Sequence, residues 1–381
     1  MNILFILTNY PGVGGIEKVT TLLANEFSKR GNNVYIVSVN AIEGSANIEE
    51  LSDKVIIFNF PNTKDYSSDI NALFLNNIIS EYDISSVIFQ DCYTKLTYLL
   101  GKLSKVNRRK IKLLVSEHND PLCTLRPIVF HLKIIDNTLK KLKTIYRLIL
   151  AFKQLVKQHL YAYAKCDNYV LLSERFIRNL KISTLGRSKK AIAIHNPLTI
   201  PIENIESNKK NEVLFVGRFV QEKGLFFLLN IWRKIFNKTN WKLILVGDGP
   251  LRKEIEDYIK DNNIKNIFLD GYKHDVTPYM NEAKIIVITS FFEGWGLVIS
   301  EAMSRGCVPI GFDSYASIHD LITNDTGILI KAFDIDAFSS SLLKLMSNEE
   351  HIKQLSEECI KYSISNFRIE KIVEQWNKIL K

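Results

Sequence analysis

Two glutamates eight residues apart, Glu293 and Glu301, are the sharpest chemical feature of this 381-residue sequence. They lie in IIVITS-FFEGWG-LVISEAMSRG, residues 285–306, which reads as a strand, a loop and a helix. Helical side chains tilt toward the helix N-terminus, and Glu301 follows Leu297 by one turn, so both carboxylates can face one crevice. Acids near a helix start also complement its dipole. Gly294 and Gly296, however, allow close backbone approach by a ligand, which a simple cap does not need. Upstream, in VGRFVQEKG, Arg218 and Lys223 stand five apart on the loop that leaves another strand. By themselves they are ordinary surface charge. On the carboxyl edge of a parallel sheet, an Arg fork and a Lys point charge can converge on a diphosphate. Gly247-Asp248-Gly249-Pro250 forms a further turn lining that edge, where open α/β sheets bind ligands.

A glycine cluster near the N-terminus, Gly12-Val13-Gly14-Gly15, sits between a strand and a helix. It reads either as a tight turn or as a backbone cradle for phosphate, since free N–H groups at a helix N-terminus favour anions. It is no dinucleotide fingerprint, because Glu17 stands where the third glycine belongs and no acid suited to a ribose follows the second strand, which ends at Asn40. No GxxxxGK[ST] motif occurs either. His118 ends Ser116-Glu117-His118 at the carboxyl end of a strand, a position that favours a functional role. His195, beside Asn196-Pro197, reads as structural.

The elements that must position these residues alternate strand and helix. Strands are expected at residues 3–7, 34–39, 55–58, 87–89, 111–115 and 169–172, with a helix over 16–29. The pattern restarts after residue 200, with strands at 213–216, 243–246, 267–269, 285–289, 308–310 and 327–330. Such alternation implies parallel sheets covered on both faces, hence two doubly wound α/β domains. The polar stretch 203–211, flanked by Pro197 and Pro201, reads as the linker. The expected domains are 1–198 and 199–365, with a last helix over 366–381 returning to the first.

Lys and Arg number 50 against 41 Asp and Glu, for a net charge of +9. The excess is local: residues 101–160 carry 14 basic and 3 acidic side chains, whereas residues 201–381 are nearly balanced. Within 128–160, Ile128, Leu132, Ile135, Leu139, Leu142, Tyr146 and Ile149 recur at helical steps beside Lys133, Lys140, Lys141, Lys143, Arg147, Lys153 and Lys157. This segment is either ordinary domain helix or a face for anionic lipid. Five scattered cysteines with no CxxC pair exclude a zinc framework. MNILFIL reads as a first strand rather than a signal peptide, and no apolar run is long enough to span a bilayer, so a cytoplasmic protein is expected. Neither an aromatic RNA-binding motif nor a helix-turn-helix pattern supports nucleic acid as partner.

Glu293-Gly-Trp-Gly-Leu-Val-Ile-Ser-Glu301 resembles the EX7E motif of the retaining GT-B glycosyltransferases of family 4. VGRFVQEKG, LILVGDGPLRKEI and GVGGIEKV resemble that family in the same order, so the resemblance covers nearly the whole chain and is best over 211–330. It implies a GT-B fold, two Rossmann-like domains facing a central cleft. Arg218 and Lys223 would bind the donor diphosphate, and Glu301 the donor ribose. Glu293 would hold hydroxyls of the transferred sugar. The backbone of Gly294, Trp295, Gly296 and Leu297 would meet phosphate, with Gly247 nearby. Gly14 and Gly15 would close over the donor from the opposite domain, and His118 would lie near the transferred sugar.

The implied reaction moves a hexose or N-acetylhexosamine from a nucleotide sugar, by family frequency a UDP-sugar. The acceptor would be a glycan or lipid-linked, in surface polysaccharide assembly such as capsule or lipopolysaccharide, on the inner membrane face. No cofactor and no metal are implied. Two departures stand out. Gly311-Phe-Asp-Ser-Tyr-Ala-Ser lacks the glycine pair many members carry after the EX7E helix, and the lysine-rich stretch after Cys123 exceeds a minimal domain. The rival readings are another GT-B enzyme, such as a nucleotide-sugar epimerase or small-sugar synthase, and a catalytically silent nucleotide-sugar-binding partner.

Overall fold

A computed structural model describes residues 1–12, 14–41, 50–135, 137–202 and 209–380. They form two compact units: Met1–Pro197 with Ile369–Lys381, and Leu198–Arg368. The expected boundaries were 198/199 and 365/366.

Unit one runs β1 (Asn2–Asn9), α1 (Gly15–Lys29), β2 (Asn33–Asn40), β3 (Ile56–Asn59), α2 (Asp69–Glu81), β4 (Ser86–Phe89), α3 (Lys105–Lys110), β5 (Lys112–Glu117), α4 (Arg126–Ile134), α5 (Thr138–Lys165), β6 (Asn168–Leu171), α6 (Phe176–Ser183) and β7 (Ala191–Ala193). Its seven strands are parallel in the order β3-β2-β1-β4-β5-β6-β7. Ile3 of central β1 pairs with Val34 on one side and Ser86 on the other. Ile3, Leu4, Phe5 and Ile6 are fully buried, as a strand covered on both faces requires. The edge strand β7 was not expected, because three residues, AIA, carry no readable period.

Unit two runs β8 (Lys210–Val216), α7 (Leu225–Ile235), β9 (Lys242–Val246), α8 (Arg252–Asp261), β10 (Ile267–Gly271), α9 (Thr277–Glu282), β11 (Ala283–Ile288), α10 (Leu297–Ser304), β12 (Val308–Asp313), β13 (Ile328–Lys331), α11 (Ile335–Met346) and α12 (Glu349–Phe367). The parallel order is β10-β9-β8-β11-β12-β13. Val213, Leu243, Ile285 and Val308 line its interior, with Leu228, Trp232 and Phe338 covering them. Most of the expected linker lies outside the described residues, and its last two residues, Lys210 and Asn211, belong to β8. Pairing of Lys210 with Ala283 on β11 overrides their polarity.

The last helix, α13 (Ile369–Leu380), joins unit one. It buries Ile372, Val373, Trp376 and Leu380. The Ser86 hydroxyl donates to the Leu380 carbonyl at 3.1 Å and Arg30 donates to the Glu370 carbonyl at 3.2 Å. The basic stretch 128–160 belongs to two helices, α4 and α5, and the Asn137 side chain caps the second by accepting from the Lys140 amide at 3.0 Å.

The C-terminal half of α5 is anchored by buried polar contacts. His159 reaches Ser183 at 2.6 Å through Nδ1, and its Nε2 lies 3.4 Å from the Glu117 carboxylate. Glu117 accepts hydroxyls from Tyr169 at 2.7 Å and from Tyr93. Burial, reinforced by neighbouring negative charge, raises both tyrosines well above their usual range, so both remain proton donors. Trp376→Ala should cost about 3–5 kcal/mol by opening a cavity under α13. Chemical denaturation checks this, and a loss under about 1 kcal/mol would show that α13 is dispensable.

Candidate functional site

In unit two the loops after β8, β9 and β11 meet at the carboxyl edge of the sheet. The Gly217 amide donates to the Val246 carbonyl at 3.0 Å, the Phe219 amide to that of Asp248 at 2.7 Å, and the Phe291 amide to that of Glu222 at 2.8 Å. This closeness dictates glycine at two points. Gly247 has φ 142°, and a Cβ there would stand 1.9 Å from the Gly217 carbonyl oxygen. Gly224, which starts α7, has φ 65°, and its Cβ would stand 2.1 Å from the Thr289 carbonyl oxygen.

That packing sets Lys223 over the sheet edge. Its stem lies across Gly217, its carbonyl accepts the Thr289 hydroxyl at 3.0 Å, and its ammonium meets Glu293 Oε1 at 2.5 Å. Ser290 donates to the same oxygen at 2.8 Å. Phe291 is held in an aromatic group with Phe227 and Phe333. Lys223 and Glu293 remain partly open to solvent, at 28% and 19% side-chain exposure. Arg218 is exposed and makes no ion pair among the described residues. The structure thus joins the expected lysine to the expected glutamate and leaves the arginine available.

Gly296 precedes α10, whose first amides are the free donors of a helix start. The Trp295 ring is buried edge-on against Phe367 at 5.4 Å. Glu301 is itself buried and accepts the Thr199 hydroxyl. Its partner therefore differs from that of Glu293. Thr199 was not expected, since it lies 102 residues from Glu301 and belongs to no motif. Tyr315, in the stretch lacking the glycine pair, is buried too. Burial, and then the charge of Glu293, keeps its hydroxyl protonated.

In unit one Gly14 caps α1 and Gly15 begins it. This is the glycine turn that reads either as a tight turn or as a phosphate cradle. The Glu17 carboxylate folds back onto it, so that a Cβ on Gly14 would stand 2.4 Å from Glu17 Oε2. The amides of Gly14 and Glu17 already bond that carboxylate, although burial raises its pKa. The helix start is filled by the chain's own acid, and Val13 lies outside the described residues.

His118 Nε2 stands 2.6 Å from Gln90 Oε1 and 3.4 Å from the Ser116 hydroxyl. Gln90 donates from its amide nitrogen to Thr20 at 3.3 Å, so its oxygen faces His118, and Nε2 carries the imidazole proton. A small cavity is lined by His118, Val19, Leu23, Leu172, His195 and Trp376. His195, read as structural, borders the same cavity while donating from Nδ1 to the Leu172 carbonyl at 2.8 Å.

Two groups of metal-ligand type are otherwise engaged. The triplet Asp334-Ile335-Asp336 starts α11: Asp334 accepts from the Ala337 amide at 2.9 Å, and Asp336 pairs with Lys234 at 2.5 Å. Cys92, Glu117 and His159 lie close together, but in the buried core and around the two tyrosine donors.

Burial pulls His118 from 6.5 down to about 4. Between these values the unfolded chain binds a proton at this residue that the folded chain does not. The stability linked to His118 is therefore complete above pH 6.5 and is lost as pH falls toward 4. His118→Gln should flatten this part of the melting-temperature profile; a variant profile parallel to the wild type would contradict neutral burial.

Residues 199–364 match the family described as Glycosyl transferases group 1. The chain is 25% identical over 386 residues to an uncharacterized glycosyltransferase of Haemophilus influenzae, covering 99% of each chain. It is 29% identical over 231 residues, 58% of this chain and 61% of the relative, to a Campylobacter jejuni protein. That protein is the "GalNAc-alpha-(1->4)-GalNAc-alpha-(1->3)-diNAcBac-PP-undecaprenol alpha-1,4-N-acetyl-D-galactosaminyltransferase". Anabaena HepE, solved in complex with UDP and glucose, superposes with TM-score 0.74 at 16% identity, over 99% of this chain and 98% of its own. The chain has the fold of the GT-B glycosyltransferases, and its residues 199–364 match the glycosyl transferases group 1 family.

Proposed function

We propose that this glycosyltransferase moves a hexose or N-acetylhexosamine from a UDP-sugar to a glycan or lipid-linked acceptor, with retention of configuration and without a metal. The observation that carries the reading is the Lys223–Glu293 pair beside exposed Arg218, at the sheet edge where α10 begins. The Campylobacter relative's name supports a lipid-linked acceptor, and the HepE complex supports UDP. The acceptor would be met on the inner face of the cell membrane, in surface polysaccharide assembly.

In this reading the bond from the sugar's anomeric carbon to the diphosphate oxygen opens, and negative charge grows on the leaving diphosphate. Arg218, Lys223 and the α10 amides neutralise that charge. An acceptor hydroxyl adds to the same face of the sugar and gives its proton to the departing phosphate. Glu293 is a holder of sugar hydroxyls and not a covalent nucleophile. Gly14, Gly15 and His118, all in unit one, are assigned to the donor and transferred sugar by resemblance to family 4.

Arg218→Ala and Lys223→Ala should each lower kcat/KM at least about 100-fold, near 3 kcal/mol of transition-state stabilisation, while melting temperature stays near wild type. Near-normal turnover of both would remove the charge-stabilising role. A chelator should leave turnover intact; loss restored by added divalent ion would refute metal independence. Thermal stabilisation across a panel of nucleotide sugars identifies the donor, because a bound donor stabilises by mass action.

A further inference from the structure

The N-terminal half of α5 is an unusual surface. Leu139, Leu142, Ile145, Tyr146, Ile149 and Leu150 are between 40% and 72% exposed. Their spacing places them along one face of the helix, and Thr144 is the buried residue of those turns. Val129, on neighbouring α4, adds to the exposed apolar area. Exposed Lys140, Lys143 and Arg147 flank one side of the ridge and Lys141 the other, and Lys153 and Lys157 continue along the helix. The whole of Thr138–Lys165 contains no Asp or Glu. Cations in a first helical turn oppose the helix dipole, so Lys140 and Lys141 cost the helix stability where they stand. Single exposed apolar side chains are common, but six on one face with a one-signed rim are not.

We infer that this face docks on an anionic lipid surface, the apolar ridge entering the boundary between headgroups and acyl chains while the lysines and Arg147 meet lipid phosphates. The occupant follows from charge: a rim without acids suits a sheet of anions and repels a second copy of itself. No described helix is long and apolar enough to cross a membrane, so the contact is along the surface. The inference rests on the proposed acceptor only for its purpose, which is to bring the enzyme to a lipid-linked substrate.

The full-length protein should sediment with vesicles of phosphatidylglycerol and phosphatidylcholine, and much less with phosphatidylcholine alone. Binding should weaken as salt rises. Two triple variants test the face: Leu142→Ser with Tyr146→Ser and Ile149→Ser, and Lys140→Gln with Lys143→Gln and Arg147→Gln. Each should lower vesicle partition at least about tenfold. Both should keep the wild-type melting temperature and donor-induced stabilisation, which reports on unit two. Wild-type partition of either variant, or equal binding to neutral vesicles, overturns the inference. So does absence of vesicle binding, with or without self-association that the ridge variant abolishes. Vesicle binding without any nucleotide-sugar stabilisation would instead sink the transferase reading and leave the docking face standing.

Discussion

Close backbone approach at the carboxyl edge of the second sheet is the constraint on which the site depends. Parallel strands buried on both faces have no polar surface of their own, so their chemistry falls to the loops beyond them. Here three loops are tied by amide–carbonyl bonds from Gly217, Phe219 and Phe291. Gly224 and Gly247 remove the two Cβ atoms that would keep those loops apart. Lys223 and Glu293, 70 residues apart in the chain, become neighbours as a result. The aromatic group of Phe227, Phe291 and Phe333 supports the Glu293 loop, so the pair sits on packed scaffold rather than on free loop.

The first unit meets a different demand. Glu117 follows the buried heart of β5 and is wholly buried, yet a carboxylate cannot stay there without donors. Tyr169 from the adjoining strand and Tyr93 from the loop after β4 supply hydroxyls, and His159 approaches from α5. This polar knot holds the rear half of a 28-residue helix to the sheet. Among the described residues the front half makes no such buried polar contact, and Leu139, Leu142, Ile145, Tyr146, Ile149 and Leu150 are exposed.

Much of this was legible because period and punctuation are local. The strand runs, the glycine turns and the final helix could be read from neighbours in the chain, as could the placing of Glu293, Arg218 and Lys223 on loops that leave strands. Partners far apart in sequence were not legible. Thr199 has no motif to announce its bond to Glu301, and the embrace of Glu117 by Tyr93, Tyr169 and His159 joins four elements. Glu17 shows the same limit: its position rules out a dinucleotide fingerprint, but the folding of its carboxylate back onto the amides of its own helix start is not written in the motif. The start of α5 is set by the Asn137 cap, whose signal the hydrophobic period running through it concealed. The edge strand β7 exists by pairing with β6 alone.

The Lys223–Glu293 contact also works as an exchange. Each charge answers the other, and neither is left uncompensated in its partly covered position. A ligand that draws the ammonium away with an anion alone strands the carboxylate, and one that offers only hydroxyls to the carboxylate strands the ammonium. A molecule of the kind proposed as donor, with an anion and a hydroxyl-rich portion, would answer both charges at once.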